Sequence, residues 1–339
     1  MRRISFGIIN YNGAPSLVPV IESVLGQQGV HVQEVLLVNN ASTDGSLALV
    51  RRHFAGRVRI IELAENHGPN PARNVALRQA AADLVLIMDN DVVLAPDYTV
   101  TLAAVFEAHP AAGAVTGQIR FHAQPDRIQY NGAHLHYAGE VVVNRAVHAA
   151  PFVVATVSAG ATLFDRAAAL DLGPFDETLF FGWEDGDLTY RLTICGRPCY
   201  AVSQAVCWHM ADGRSSRWVR LQVRNRWQFL MKYYDARTFL LALPGILFYQ
   251  FCAGLFFLLK GQGGAVVLGW WDAVRAIPAV RAQRRTVFRR KCVPDSRTLS
   301  GGALELPGAV QDKPALRLAG RCLSAVLGGY WRLIRPFIR

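Results

Sequence analysis

The sequence predicts an α/β fold: a mostly parallel sheet with helices on both faces, followed by a helical C-terminal region that is apolar and basic. Three observations predict it. Short apolar runs alternate with helix-period segments through residues 4–88. Polar loops at residues 10–13, 39–46 and 89–91 follow three of those runs, the place where parallel α/β sheets bind ligands. From residue 214 the composition turns arginine-rich, then very apolar over residues 239–259, then basic again.

The elements follow in order. Residues 4–9 are an apolar run of buried-strand type. Asn10-Tyr11-Asn12-Gly13 is a turn, and Pro15 suits a first helical turn. Leu17, Ile21, Val24 and Leu25 then recur at helical spacing. Residues 35–38 and 58–61 are further strands; residues 69–82 form a helix and residues 84–88 a fourth strand. Residues 113–163 carry shorter, strand-like segments, followed by a helix near 184–195 and a strand near 199–206. The expected division is a catalytic domain over residues 1–235 and a helical region over 236–339.

Charge is unevenly placed. Residues 1–213 hold 14 Lys+Arg against 20 Asp+Glu and residues 214–339 hold 22 against 5, so the net +11 joins a −6 body to a +17 tail. Such a tail implies an anionic partner. The neighbouring apolar run and the lack of a nucleic-acid motif favour lipid over nucleic acid. The six cysteines form no C-x-x-C, and Met1-Arg2-Arg3 runs straight into a strand without a signal peptide. Free thiols in a reducing cytoplasm are expected.

Four features carry chemistry. Asp89-Asn90-Asp91 closes an apolar strand. Two carboxylates one residue apart can aim oxygens at a hard cation, Mg²⁺ or Mn²⁺, which a substrate phosphate completes. A solvated turn is the bland alternative. Trp183-Glu184-Asp185-Gly186-Asp187 places acids among aromatics, where one of them could serve as a general base for a hydroxyl. Capping of the following helix is the alternative. His209 ends a strand and could complete a mixed O and N metal shell, or be a half-buried structural histidine. Arg73, in the first turn of a helix, suits a diphosphate contact, or is an exposed arginine.

Together the segments IINYNGAPSL, VLLVNNASTDGS, NHGPNPARNVAL, LVLIMDND, LGPFDETLFFGWEDGDLTYRLTICGRP and AVCWHM resemble, in order, the motifs of the family-2 glycosyltransferases across about residues 4–235. That resemblance implies the GT-A fold and inverting, nucleotide-sugar-dependent transfer with a divalent cation. It makes Tyr11, Asn12, Asn39, Asp44, Arg73 and Asp89 nucleotide contacts, and Asp89, Asp91 and His209 the metal group. It makes Asp185 the catalytic base, with Trp183 and Glu184 on the acceptor. One departure stands out: the family usually has Asp where this chain has Asn39. An amide still accepts a hydrogen bond, without charge, so uracil, thymine and guanine donors all remain open.

Residues 239–259 carry no charge and are about long enough to span a bilayer. A single span would export residues 261–339, with 14 Lys+Arg against 4 Asp+Glu, against the positive-inside tendency. An interfacial or re-entrant helix pair, turning at residues 261–264, fits better. Trp270, Trp271, Tyr330 and Trp331 are then expected at headgroup depth, and Arg281, Arg284, Arg285, Arg289, Arg290 and Lys291 against anionic lipid. A helix packed on the catalytic domain is the alternative. The expected setting is the cytoplasmic side of the inner membrane, with a glycan or polyprenyl-linked acceptor and a role in cell-surface polysaccharide synthesis. A sugar nucleotidyltransferase is disfavoured, because residues 10–13 lack the basic, glycine-rich grip on a triphosphate. A non-catalytic sugar-nucleotide-binding protein is the other alternative, and the retained acids argue against it.

Overall fold

The computed structural model describes residues 2–210, 218–304 and 314–339. The chain runs β1 (Arg3–Asn10), α1 (Leu17–Leu25), β2 (His31–Asn39), α2 (Ser46–His53), β3 (Arg59–Glu62), α3 (Pro69–Gln79), β4 (Leu84–Asp89), β5 (Val92–Leu94) and α4 (Tyr98–Ala108). Then come β6 (Ala114–Phe121), β7 (Gln124–Tyr130), β8 (Ala133–His136), β9 (Glu140–Val143), β10 (Phe152–Val154), β11 (Ala161–Asp165), α5 (Arg166–Asp171), α6 (Gly186–Ile194) and β12 (Cys199–His209). The remainder is α7 (Val219–Tyr233), α8 (Ala236–Leu259), α9 (Gly263–Arg275), α10 (Ile277–Phe288), α11 (Asp295–Thr298), β13 (Leu299–Ser300) and α12 (Pro314–Ile334). Two compact units result: residues 1–132 with 144–214, and residues 133–143 with 215–339. The division therefore falls ahead of residue 235, because α7 packs against α9 and α10.

The first unit is built on a ten-stranded sheet in the order β10-β12-β6-β11-β4-β1-β2-β3, with β5 added on β12 and β7 on β6. It is parallel through β4-β1-β2-β3 and again at β12-β6, with β11 antiparallel between β4 and β6. Strand alternation explains the two covered faces. Leu84, Leu86 and Met88 of β4 join Ile4, Phe6 and Ile8 of β1 in one core with α1 and α4. Val85 and Ile87 point the other way, into a second core with Ala72, Ala76 and Leu77 of α3. Gly7 sets how closely α3 approaches: a Cβ there would lie 2.7 Å from the Ala76 Cβ. The chain leaves β1 for β2 and β3 on one side, then returns to β4 on the other. The crevice of such a sheet opens at that switch, beyond Asn10 and Asp89.

In the second unit β13 pairs parallel with β8 of the β8–β9 hairpin. Two sequence expectations are corrected here. Trp331 is in the core rather than at headgroup depth, stacked 5.1 Å from the Tyr137 ring, with Leu327 and Ile334 on the same stripe of α12. Tyr330 donates its hydroxyl to the Leu241 carbonyl at 2.7 Å. Lys291 faces inward, donating to Asp295 Oδ1 at 2.6 Å and Asp235 Oδ2 at 3.0 Å. An acid four residues on, at Asp295, gives this cation a partner that makes burial tolerable.

His136 is fully buried, its Nδ1 accepting from the Ala138 amide at 3.1 Å, and its Nε2 has no hydrogen-bond partner. Burial lowers its pKa from 6.5 to about 4. The fold therefore holds the neutral ring, and its contribution is complete above pH 6.5 and lost as pH falls toward 4. Unfolding of the full chain followed by urea titration across that window should lose on the order of 3 kcal/mol through this ring. His136→Phe should flatten the slope; an unchanged slope in that variant would refute the assignment.

Candidate active site

The acid-rich segment ahead of α6 shows which of its two readings the geometry favours. Asp185 occupies the N-cap position, yet its side chain makes no capping bond. Its Oδ1 accepts from Arg73 Nη1 at 2.9 Å, and its Oδ2 accepts from Ser158 Oγ at 3.0 Å and the Ala159 amide at 3.2 Å. A carboxylate has about four acceptor positions, so three are filled and one stays open. Trp183 beside it is a bulky residue at φ 67°, in the left-handed region. Such conformations cost of order 1–3 kcal/mol and gather at functional loops. Asp187, one turn in, pairs with Arg191 at 3.1 Å, so the structural role falls to this second acid.

Helix α3 holds the segment in place. Asn70, Arg73 and Asn74 lie on one face by their spacing. Asn70 Nδ2 donates to the carbonyls of Asp176, at 2.9 Å, and Glu184, at 3.2 Å. Asn74 exchanges hydrogen bonds with the Phe175 backbone, both at 2.9 Å. Arg73 is buried, and its Nη2 reaches Asp89 Oδ1 at 3.4 Å while Nη1 holds Asp185. Burial works against the charged guanidinium, but Asp185, Asp89 and Glu184 outweigh it and raise its pKa. Burial pushes the Asp89 carboxyl up to about 6; Arg73 opposes this and Asp91 adds to it. Arg73, expected as a diphosphate contact, thus faces inward between two carboxylates.

The loops after β1, β2 and β4 meet at Asn10. The two hydrogens of its Nδ2 are shared among Asn39 Oδ1 at 3.0 Å, Ser42 Oγ at 3.1 Å and Ser46 Oγ at 3.0 Å, and its Oδ1 accepts from Asn90 Nδ2 at 2.8 Å. Gly13 lies against this knot, where a Cβ would fall 2.2 Å from Asn90 Nδ2. Asn12, at φ 50°, accepts from the Thr43 amide at 2.9 Å. Asp44 receives the amides of Ala14, at 2.8 Å, and Ser46, at 3.0 Å. Desolvation pulls the other way, but those bonds hold Asp44 below the usual carboxylate range. Tyr11 is half exposed beside the knot. Asn39 is buried, and its side-chain carbonyl accepts from Asn10.

A divalent cation fits the residues at the end of β4. Asp91 Oδ2 lies 3.3 Å from His209 Nε2, and Asp91 Oδ1 is buried without a hydrogen-bond partner. His209 Nδ1 meets Gln129 Oε1 at 3.0 Å. The amide oxygen accepts only, which puts a proton on Nδ1 and turns Nε2 toward Asp91. β12 pairs with β5 so that His209 stands opposite Val92, which explains how residues 118 apart meet. Among the described residues no group of three or more His, Cys, Asp or Glu is placed to hold a metal unaided. Ser158, Ala159, Gln129 and Asn10 escaped the sequence reading, since β-register and loop packing bring them in without a motif.

Comparison with known proteins bears on the family and the fold. Residues 5–172 match the family model described as glycosyl transferase family 2. The chain is 30% identical over 230 residues to the succinoglycan biosynthesis protein ExoO of Rhizobium meliloti, covering 64% of each. It is 26% identical over 209 residues to the poly-β-1,6-N-acetyl-D-glucosamine synthase of Staphylococcus aureus, covering 60% of this chain and 49% of that one. The match thus spans less than two thirds of either relative. Residues 1–349 of S. aureus TarS with UDP superpose at a TM-score of 0.58 and 17% identity, covering 98% of this chain and 92% of that one. Mannosyltransferase PcManGT of Pyrobaculum calidifontis, with GDP-Man and Mn²⁺, gives 0.53 and 19%, covering 96% and 86%. GalNAc-T7 with UDP, GalNAc and Mn²⁺ gives 0.59 and 16%, covering 73% and 51%. At these identities the structures show a shared α/β fold of GT-A type.

Arg73→Met leaves Asp185 and Asp89 facing each other without a counter-charge. Because Asp89 and Asp185 keep side-chain exposures of 37% and 22%, the cost falls below that of a fully buried pair, at about 2 kcal/mol. Chemical unfolding of the variant measures it; an Arg73 that only touched a ligand would leave stability unchanged.

Proposed function

Because the chain belongs to glycosyltransferase family 2, we propose that it moves a hexosyl or deoxyhexosyl unit from a nucleoside-diphosphate donor to a hydroxyl of a glycan or polyprenyl-linked acceptor, with inversion. The observation that carries this reading is the Asp185–Arg73–Asp89 bridge, one residue away from the Asp91–His209 pair. In this reading it brings a proton acceptor and a cation-binding group to the same end of the sheet, near its switch point.

In this reading Asp185 takes the proton of the acceptor hydroxyl through its remaining acceptor position. The acceptor oxygen forms a bond to the anomeric carbon from the face opposite the diphosphate. The carbon–oxygen bond to the diphosphate breaks, and the electron pair leaves with the nucleoside diphosphate. One displacement inverts the centre and needs no covalent intermediate. Arg73 and Ser158 hold Asp185 in orientation. Asp91 and His209 would hold Mg²⁺ or Mn²⁺, the diphosphate and water completing the shell. That cation supplies charge neutralisation at the leaving diphosphate. Tyr11 offers an exposed ring for the base, Asn12 and Asp44 shape the nucleotide loop, and Trp183 and Glu184 line the acceptor side. The relatives' names support a place in polysaccharide synthesis; the cytoplasmic side of the inner membrane is part of the same proposal.

The test is nucleoside-diphosphate release from a panel of sugar nucleotides with Mn²⁺ and candidate acceptors. Asp185→Asn should lower turnover by about 10²–10⁴-fold while calorimetry shows donor binding kept. Turnover at the wild-type rate in that variant sinks the base assignment. Chelation should abolish turnover and added Mn²⁺ restore it, and Asp91→Asn should need about tenfold or more extra Mn²⁺. Full activity in chelator rules out the cation.

A further inference from the structure

We propose that α8, α9 and the exposed arginines of α10 seat the second unit in one leaflet of an anionic bilayer. This seat rests on the cytoplasmic placement proposed above but not on the transfer chemistry. Among the described residues, 12 of the 20 large hydrophobics that are exposed lie on α8 and α9. Leu259 at 80%, Leu240 and Phe251 at 67% and Leu258 at 61% are the most open on α8, and Trp270 and Trp271 join them on α9. A concentration of this kind marks a contact surface rather than ordinary solvent exposure. The most apolar stretch of α8 is only 22% buried, which separates it from the core helix of a soluble protein.

Charge decides which partner suits the surface. Between residues 236 and 294 the sequence has nine basic residues and a single acid, Asp272. Asp272 is already held by Arg220 through two bonds, at 2.6 and 3.0 Å. Every other described acid of this unit has its cation too: Glu140 has Arg226, while Asp235 and Asp295 share Lys291. Arg281 and Arg285 of α10 and its C-cap Arg289, spaced by four on one face, are exposed, and among the described residues no acid of their own unit is left to meet them. An apolar surface next to unneutralised arginines matches the acyl and anionic headgroup layers of a lipid leaflet. An ordinary protein interface would carry fewer like charges around its rim.

Length decides the depth. α8 has 24 residues, about 36 Å at 1.5 Å per residue, whereas α9 has 13, about 20 Å, too short to return across a bilayer. Gly261, at φ 72°, closes the turn between them. A spanning α8 would export α9, α10 and α12 with their basic residues, against the positive-inside tendency. The Arg275 guanidinium lies 5.0 Å from the Trp271 ring, a pairing suited to headgroup depth.

The experiment uses the full chain with vesicles of phosphatidylcholine alone and of phosphatidylcholine with phosphatidylglycerol, separated by flotation at low and high salt. Wild type should float with the anionic vesicles and lose about tenfold in binding on neutral ones. Leu258→Glu with Leu259→Glu, both on the open face, should cut the anionic-bound fraction about tenfold while circular dichroism is unchanged. Arg281→Glu, Arg285→Glu and Arg289→Glu together should do likewise at low salt. Variants that float like wild type overturn the proposal. So does a wild type that ignores vesicles and runs as a dimer which the tip variant splits, since the partner is then a second copy. The exposed Cys292 and Cys322 report the depth. In intact bacterial cells an impermeant maleimide should leave them unlabelled until permeabilisation; labelling from outside means that α8 spans, and the single-leaflet seat is wrong.

Discussion

The site depends on one buried cation. Asp89 ends β4 and Asp185 precedes α6, 96 positions apart in sequence, and two carboxylates brought together repel while losing water. Arg73 resolves both problems, with one Nη toward each acid. Lysine could not do so as well: it is a point charge that gives up its proton more readily when buried, whereas a guanidinium is forked and always charged. The position of Arg73 in turn rests on packing. Gly7 lets α3 lie against β1, and the fixed register of β1 with β4 sets Asp89 beside that helix. Backbone packing thus determines where the carboxylates of the cleft stand.

The same economy operates on the nucleotide side with neutral groups. Asn10 both donates and accepts, which a carboxylate at that position could not do. Three loops that parallel topology brings near one another are joined by a single amide, with Asp44 fastening the outer rim. The amide at Asn39 belongs to this knot. An aspartate there would accept from Asn10 equally well but would carry charge into a buried position. The exchange of Asp for Asn therefore has a structural rationale inside the loop, independent of the donor base.

How much was legible in the sequence follows from which signals are local. The strands, the helix after Gly68 and the acids at strand and helix ends were readable, because period and end position are properties of short segments. The convergence of loops 10–13, 39–46 and 89–91 was readable because parallel sheets place ligands at one edge. Ser158 and Ala159 were not, since the antiparallel insertion of β11 between β4 and β6 brings them in, and nothing local announces that register. Arg73 was noticed but its acid partners were not legible: a first-turn arginine can face a ligand or the protein, and Asp89 and Asp185 come from distant segments. His209 was legible as a strand-end imidazole, but its bond to Gln129, 80 positions away, was not.

The second unit shows the same rule applied to burial. Lys291 and Arg289 are two residues apart in one basic run, yet one is inside and one outside. The difference is Asp295, four residues beyond Lys291, which together with Asp235 offsets the loss of water. Trp331 and Trp271 differ for a parallel reason. Trp331 falls on the stripe of α12 that meets Tyr137, while Trp271 sits on the outer face of α9. Composition alone made both tryptophans and all the basic residues one class. Partner spacing separates them, so the surplus of cations over acids in this unit has to appear on its surface, where the apolar faces of α8 and α9 also lie.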